Sequence, residues 1–169
     1  QVVCEDCVEG VSTRKMDRLV KTRGIAGIGR STVSEMAKSL DDRVHAFRSR
    51  PLDRGPYRYV WLDGTYLKCR ESGSVESVSV VIATGVNRDG YRDLLGMDVF
   101  TMESETSWTE FIRGLVERGL SGVDLVISDA HPGLKAAIAR LLPGSAWNRC
   151  YTHFTRNVID KVPKKGQEK

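Results

Sequence analysis

The sequence predicts an α/β fold, a mixed five-stranded sheet preceded by a small helical module. Three observations predict it. Residues 57–100 hold three stretches rich in aromatic and β-branched residues, separated by short turn-like breaks. From residue 107 onward, helical periodicity alternates with short apolar runs, as in strand–helix–strand units. Residues 1–50 show helical periodicity alone, and the stretch after them, Arg48-Ser-Arg-Pro-Leu-Asp-Arg-Gly-Pro56, has the proline and glycine content of a linker.

The helical module comes first. Ser12 precedes a run with Met16, Leu19 and Val20 at helical spacing, and Gly24 stops it. After Gly24-Ile-Ala-Gly-Ile-Gly29, Thr32 and Glu35 have the spacing of a capping box. Val33, Met36, Ala37, Leu40, Val44 and Phe47 then form one apolar stripe. Two helices joined by a glycine-rich turn and carrying Arg14, Lys15, Arg18, Lys21, Arg23 and Arg30 resemble a DNA-binding helix-turn-helix. A plain helical hairpin with a solvated basic face has the same pattern, so both readings stand. The boundaries expected are a module over 1–50, a linker over 51–56 and a second domain over 57–169.

In that second domain, strands are expected at 57–66, 75–86 and 91–100. The breaks Glu71-Ser-Gly-Ser74 and Asn87-Arg-Asp-Gly90 are short enough to make them an antiparallel meander. A helix over 107–118 places Trp108, Phe111, Ile112 and Leu115 on one face and closes at Gly119. Asp124-Leu-Val-Ile-Ser128 reads as a short buried strand, residues 133–142 as a helix, 145–150 as a last strand, and His153 as the start of another helix. The order βββαβαβα is that of a ribonuclease-H-like core.

Composition narrows the class. Hydrophobic residues at 40% and charged residues at 28% are ordinary for a globular protein. No stretch reaches the run of about 18 apolar residues that a membrane helix needs, and Gln1 is followed by no basic-then-apolar leader. The chain therefore reads as a cytoplasmic protein cut from something longer, without a membrane partner. A net charge of +4 permits a polyanionic partner. Four cysteines at irregular spacing do not suggest a disulfide framework.

Two acids carry the chemistry. On a strand of period 2, Tyr59, Trp61, Asp63 and Thr65 share one face, and a mid-strand carboxylate is costly to desolvate unless paired or bound to a cation. Asp129 ends the short strand and precedes a helix, a favoured place for a functional acid in an open sheet. In a ribonuclease-H-like sheet the first and fourth strands are neighbours, which would set Asp63 beside Asp129. Two such carboxylates repel unless a divalent cation neutralises them, and clusters of this kind serve metal-assisted phosphoryl transfer. A strand-edge aspartate bonded to a turn, for Asp63, and a helix N-cap, for Asp129, are the plainer alternatives.

Several motifs then carry a resemblance: Trp61-Leu-Asp-Gly-Thr-Tyr-Leu-Lys68, Ile82-Ala-Thr-Gly-Val-Asn87, Trp108-Thr-Glu-Phe111, Gly119-Leu-Ser-Gly-Val123, Ile127-Ser-Asp-Ala-His131 with Gly133-Leu-Lys-Ala-Ala137, and Arg149-Cys-Tyr-Thr-His-Phe154 with Arg156 and Asn157. In order and over nearly the whole chain, they resemble the Mutator family of bacterial insertion-sequence transposases. Gly10-Val-Ser-Thr-Arg-Lys15 and Gly29-Arg-Ser-Thr-Val-Ser34 resemble that family's helix-turn-helix region.

The resemblance implies a DDE transposase that cuts and joins DNA at element ends with Mg²⁺ or Mn²⁺. Its partners would be double-stranded DNA (terminal inverted repeats and target DNA) and further copies of itself in the intact enzyme, in the bacterial cytoplasm at the nucleoid. Asp63 and Asp129 match the first two acids of the triad. Cys150 and His153 match the family's Cys-x-x-His motif, with His131 a helix-start residue close to Asp129. Arg14, Lys15, Arg18, Arg30, Arg149 and Arg156 are the expected DNA contacts, with Lys161, Lys164, Lys165 and Lys169 extending the basic tail.

A zinc site joining Cys150 and His153 to Cys4-x-x-Cys7 is disfavoured, because the two pairs fall in different modules. The resemblance implies a third acid, a Glu far downstream beyond a helical insertion. Only Asp160 and Glu168 follow Asp129 here, and the resemblance assigns neither that role. The expectation is a transposase fragment nearly inactive alone. The rivals are a non-catalytic DNA-binding remnant that occupies element ends, and a nuclease or junction resolvase on the same fold.

Overall fold

A computed structural model of the chain describes residues 30–71 and 74–163. It divides into two compact units, Gln1–Arg50 and Pro51–Lys169. In the first unit the described element is the helix α1, Arg30–Ser49. The expected preceding helix, with Arg14, Lys15 and Arg18, lies outside the described residues, and so do Cys4 and Cys7. Because α1 is already under way at Arg30, Thr32 is inside the helix and not at its cap, which corrects the expected capping box. A cap preference is worth only about 1 kcal/mol, too little to fix where a helix starts. No helix of the described residues is long and apolar enough to cross a membrane.

The second unit is built on five strands: β1 (Tyr59–Glu71), β2 (Ser74–Val86), β3 (Arg92–Phe100), β4 (Leu125–Ser128) and β5 (Ala146–Arg149). Three helices join them: α2 (Glu105–Glu117), α3 (Pro132–Leu141) and α4 (Tyr151–Ile159). The sheet order is β3-β2-β1-β4-β5. The first three strands pair antiparallel, and β4 and β5 continue parallel to β1. That order and those directions are the ribonuclease-H-like arrangement the element order predicts.

One sheet face makes the core. Val60, Leu62, Val81, Ala83, Leu95 and Val126 are buried there with Trp108, Ile112 and Leu115 of α2 and Leu134, Ala137 and Ile138 of α3. Gly96 is what lets α2 come down on β3, since a Cβ at that position would sit 2.8 Å from Leu115 Cδ2. The opposite face of β2 and β3 is also apolar, through Val80, Ile82, Leu94 and Val99, yet it is only half-buried or exposed.

Element ends differ from the expected ones for identifiable reasons. β1 runs five residues past Tyr66, to Glu71, paired with β2 as far as Glu71↔Ser74. β3 stops pairing with β2 at Ser79↔Phe100, so the outer hairpin is a two-stranded ribbon with no buried face to impose alternation on its sequence. α2 starts at Glu105, not Ser107, because Ser104 and Ser107 close a reciprocal capping box with serine in the place usually taken by Glu. α2 ends as expected at Gly119. With φ at +106°, Gly119 donates to Val116 O and Leu120 to Leu115 O, a Schellman motif whose leucines are both buried. α4 starts at Tyr151, two residues before the expected His153.

The proline-rich stretch 51–56 is anchored to the second unit. Leu52 is buried and its N–H donates to Arg118 O. Asp93 then gathers Arg54 Nη1 at 3.0 Å, Asn87 Nδ2 at 3.0 Å and the buried Tyr57 hydroxyl at 3.3 Å.

Candidate functional site

The parallel pairing of β1 with β4 runs from Tyr59↔Leu125 to Leu62↔Ser128. Asp63 and Asp129 each follow directly on the last of these pairs, Leu62↔Ser128. β5 extends the row, since Cys150 N donates to Ser128 O at 2.7 Å. Asp63, Asp129 and Cys150 therefore lie along one edge, contributed by three strands far apart in sequence.

Their side chains meet different neighbours. Val60 and Leu62 turn into the core, and period 2 sends Trp61 and Asp63 to the opposite face. There the Asp63 carboxylate is 61% exposed, and its Oδ1 lies 3.6 Å from His153 Nε2, an electrostatic contact too long to be a hydrogen bond. His153 comes from the first turn of α4, and its Nδ1 is buried with no hydrogen-bond partner among the described residues. Asp129 Oδ1 accepts from Ala130 N at 2.6 Å and lies 3.9 Å from Arg149 Nη2. The Arg149 guanidinium also lies over the Phe154 ring at 5.4 Å, and its Nε is buried without a hydrogen-bond partner among the described residues.

A cleft of about 560 Å³ opens beside Asp63. Its lining includes Trp61, Arg92, Cys150, His153 and Arg156, with Asp63 the only acid among the described residues. Asp129 is outside that lining, so the cleft collects Asp63, Cys150, His153 and Arg156 of the expected residues and leaves Asp129 and Arg149 beside it. His131 is committed elsewhere: it is the N-cap of α3, its Nδ1 accepting from Leu134 N at 3.3 Å. The helix N-cap considered for Asp129 thus falls two residues later. Among the described residues no three His, Cys, Asp or Glu side chains come together as a metal-holding group. Cys150 is a free cysteine.

Sequence reasoning missed Arg92. It stands at the first position of β3, two strands from β1, and its guanidinium lies over the Trp61 ring at 5.2 Å. Only the register of three strands reveals that neighbourhood. Period 2 in β1 had already put Trp61 on the face of Asp63.

The chain matches the family described as "Transposase, Mutator family" over residues 1–169. It is 54% identical over 155 residues to the transposase for insertion sequence element IS1081 of Mycobacterium tuberculosis, covering 92% of this chain and 37% of that protein. The transposase for insertion sequence element ISRM5 of Rhizobium meliloti is 42% identical over 96% of this chain and 41% of its own length. The transposase for IS256 in transposon Tn4001 of Staphylococcus aureus is 40% identical over 95% and 41%. The chain thus spans about two-fifths of the length of these curated relatives, 37–41%. Among solved structures, a chain of a simian T-cell lymphotropic virus intasome complex covers 80% of this chain and 54% of its own at 14% identity and a TM-score of 0.38, too loose a likeness to carry an argument.

Proposed function

We propose, on the premise that this chain belongs to the Mutator family of transposases, that it contributes the first two carboxylates of a metal-dependent site for DNA cleavage and strand transfer at insertion-element ends. One observation carries the reading. The β1–β4 register ends at Leu62↔Ser128, the residues just before Asp63 and Asp129, although sixty-odd residues separate the two acids in sequence.

The donor chemistry fits Mg²⁺ or Mn²⁺. Both acids are hard oxygen donors with open approach, 61% and 48% exposed, and such ions are commonly held by one or two carboxylates with water and substrate phosphate completing the shell. Bound there, the cation would supply Lewis-acid stabilisation of the phosphate and ease deprotonation of the attacking oxygen. The remaining work belongs to the chain. His153 and Arg149 lie against the two carboxylates and limit their rotation in the absence of DNA. Arg156, and Arg149 once released from Asp129, would face phosphates of double-stranded DNA, from terminal inverted repeats or target. Residues 1–50, with Arg14, Lys15, Arg18 and Arg30, form the proposed helix-turn-helix that grips the repeats, and 57–169 the catalytic domain. Further copies of the chain would complete the assembly that joins two DNA ends, at the nucleoid of a bacterial cell.

Two acids hold a cation loosely, and phosphoryl transfer needs it well placed. Residues 1–169 are therefore expected to bind DNA in a metal-stimulated way while nicking supercoiled plasmid little above background. Gel-shift titrations with and without Mn²⁺ test this. Mn²⁺ should tighten binding by the parent and leave Asp63→Asn and Asp129→Asn unchanged. A metal response that persists in both variants would sink the reading. Salt-sensitive binding indifferent to metal would favour the second reading, a non-catalytic occupant of element ends.

A further inference from the structure

We infer that the cleft beside Asp63 is a subsite for one unstacked nucleotide of single-stranded DNA, its base lying on Trp61 and its phosphates facing Arg92 and Arg156. The inference deepens the reading above and rests on it. Trp61 and Asp63 leave the same face of β1 two residues apart, about 7 Å along the strand. Trp61 is half-buried and faces away from α2 and α3, so the core does not require its ring. Ile82 and Thr84 of β2, opposite Asp63 and Trp61, also line the cleft.

Charge selects the ligand. Neither Arg92 nor Arg156 has a carboxylate partner among the described residues, and Asp63 is the only acid lining the cleft. Two guanidinium groups without a carboxylate partner among the described residues, beside one aromatic face, match the two halves of a nucleotide, phosphate and base. A duplex offers no free base face, because its bases are paired and stacked; an unstacked nucleotide does. At 5.2 Å the Arg92 guanidinium already covers the ring, which leaves no room for a base between them. The base takes its place, and Arg92 turns from the ring to the phosphate. The contact exchanges one cation–π pair for a stack and a charge-assisted bond. A nucleotide seated so would present its phosphodiester at Asp63.

Fluorescence anisotropy with a labelled oligo(dT) and with a blunt duplex of equal length tests the subsite, in EDTA and at one fixed salt concentration. Trp61→Ala should weaken single-strand binding roughly tenfold or more and leave duplex binding within about twofold. Trp61→Phe should keep most of the single-strand affinity. Equal losses on both substrates, or none on either, would overturn the inference. If Trp61→Ala does not fold, tryptophan quenching decides: oligo(dT) should quench emission of the parent much more than of Trp61→Phe, and equal quenching would refute the stack. Because no metal is present, failure here leaves the two-carboxylate reading standing, and failure of the metal response leaves this test intact.

Discussion

Trp108 shows how a single residue can be well packed and poorly satisfied. Its side chain is 1% exposed and meets Phe111 edge-on, with ring centroids 6.2 Å apart. Its Nε1 is buried with no hydrogen-bond partner among the described residues. An unmet buried donor costs about 1–3 kcal/mol, and the apolar bulk of the ring outweighs that cost here. Trp108→Phe removes the donor and keeps most of the ring, so it should stay within about 1 kcal/mol of the parent, whereas Trp108→Ala should lose about 3–5 kcal/mol. Urea unfolding of both variants checks this. Equal losses would mean that the indole N–H has a partner after all. Ser128 is the contrasting case. It is buried just before Asp129, accepts from Trp147 Nε1 at 2.9 Å and donates to the Asp129 carbonyl at 2.8 Å, so a small polar residue fixes the backbone that presents the acid.

Between elements, the decisive contacts are those that sequence spacing does not advertise. Asp93 joins Arg54, Tyr57 and Asn87, and so fastens the stretch before β1 to the β2–β3 turn. Its side chain is 13% exposed, so Asp93→Ala takes the acceptor from the buried Asn87 amide and removes the Arg54 and Tyr57 contacts. The substitution should cost about 2 kcal/mol, read as a lower urea midpoint with an unchanged slope; a loss under about 0.5 kcal/mol, the range of ordinary surface changes, would show that Arg54 and Tyr57 find other partners. A stretch rich in Pro, Gly and Arg reads as linker because composition reports exposure on average, and Leu52 and Tyr57 are the exceptions that plug it into the core. Helix α2 was legible because Trp108, Phe111, Ile112 and Leu115 mark its buried face. Its start was not, because the capping box uses a serine pair. The outer half of β1 was equally illegible, since a ribbon held by backbone pairing alone puts no hydrophobic period into Leu67-Lys-Cys-Arg70.

At the scale of the whole molecule, element order was enough to give the sheet order, and with it the β1–β4 pairing that ends one residue before Asp63 and Asp129. What order could not give was side-chain direction at the strand ends. There Asp129 bonds Ala130 and faces Arg149, while Asp63 faces His153 and the cleft. Arg92 was hidden for the same reason: two antiparallel registers have to be known before it can be placed on Trp61. The account depends on those two carboxylates serving one ion, and the most direct measurement is Mn²⁺ binding followed by the electron paramagnetic resonance of the free ion. Two ligands of one ion are coupled, so their losses do not add. Asp63→Asn and Asp129→Asn should each weaken binding by about tenfold or more, about 1.4 kcal/mol, and the double variant should be little worse than either. Losses that simply add, or Mn²⁺ affinity that neither substitution changes, would mean that the two acids act apart.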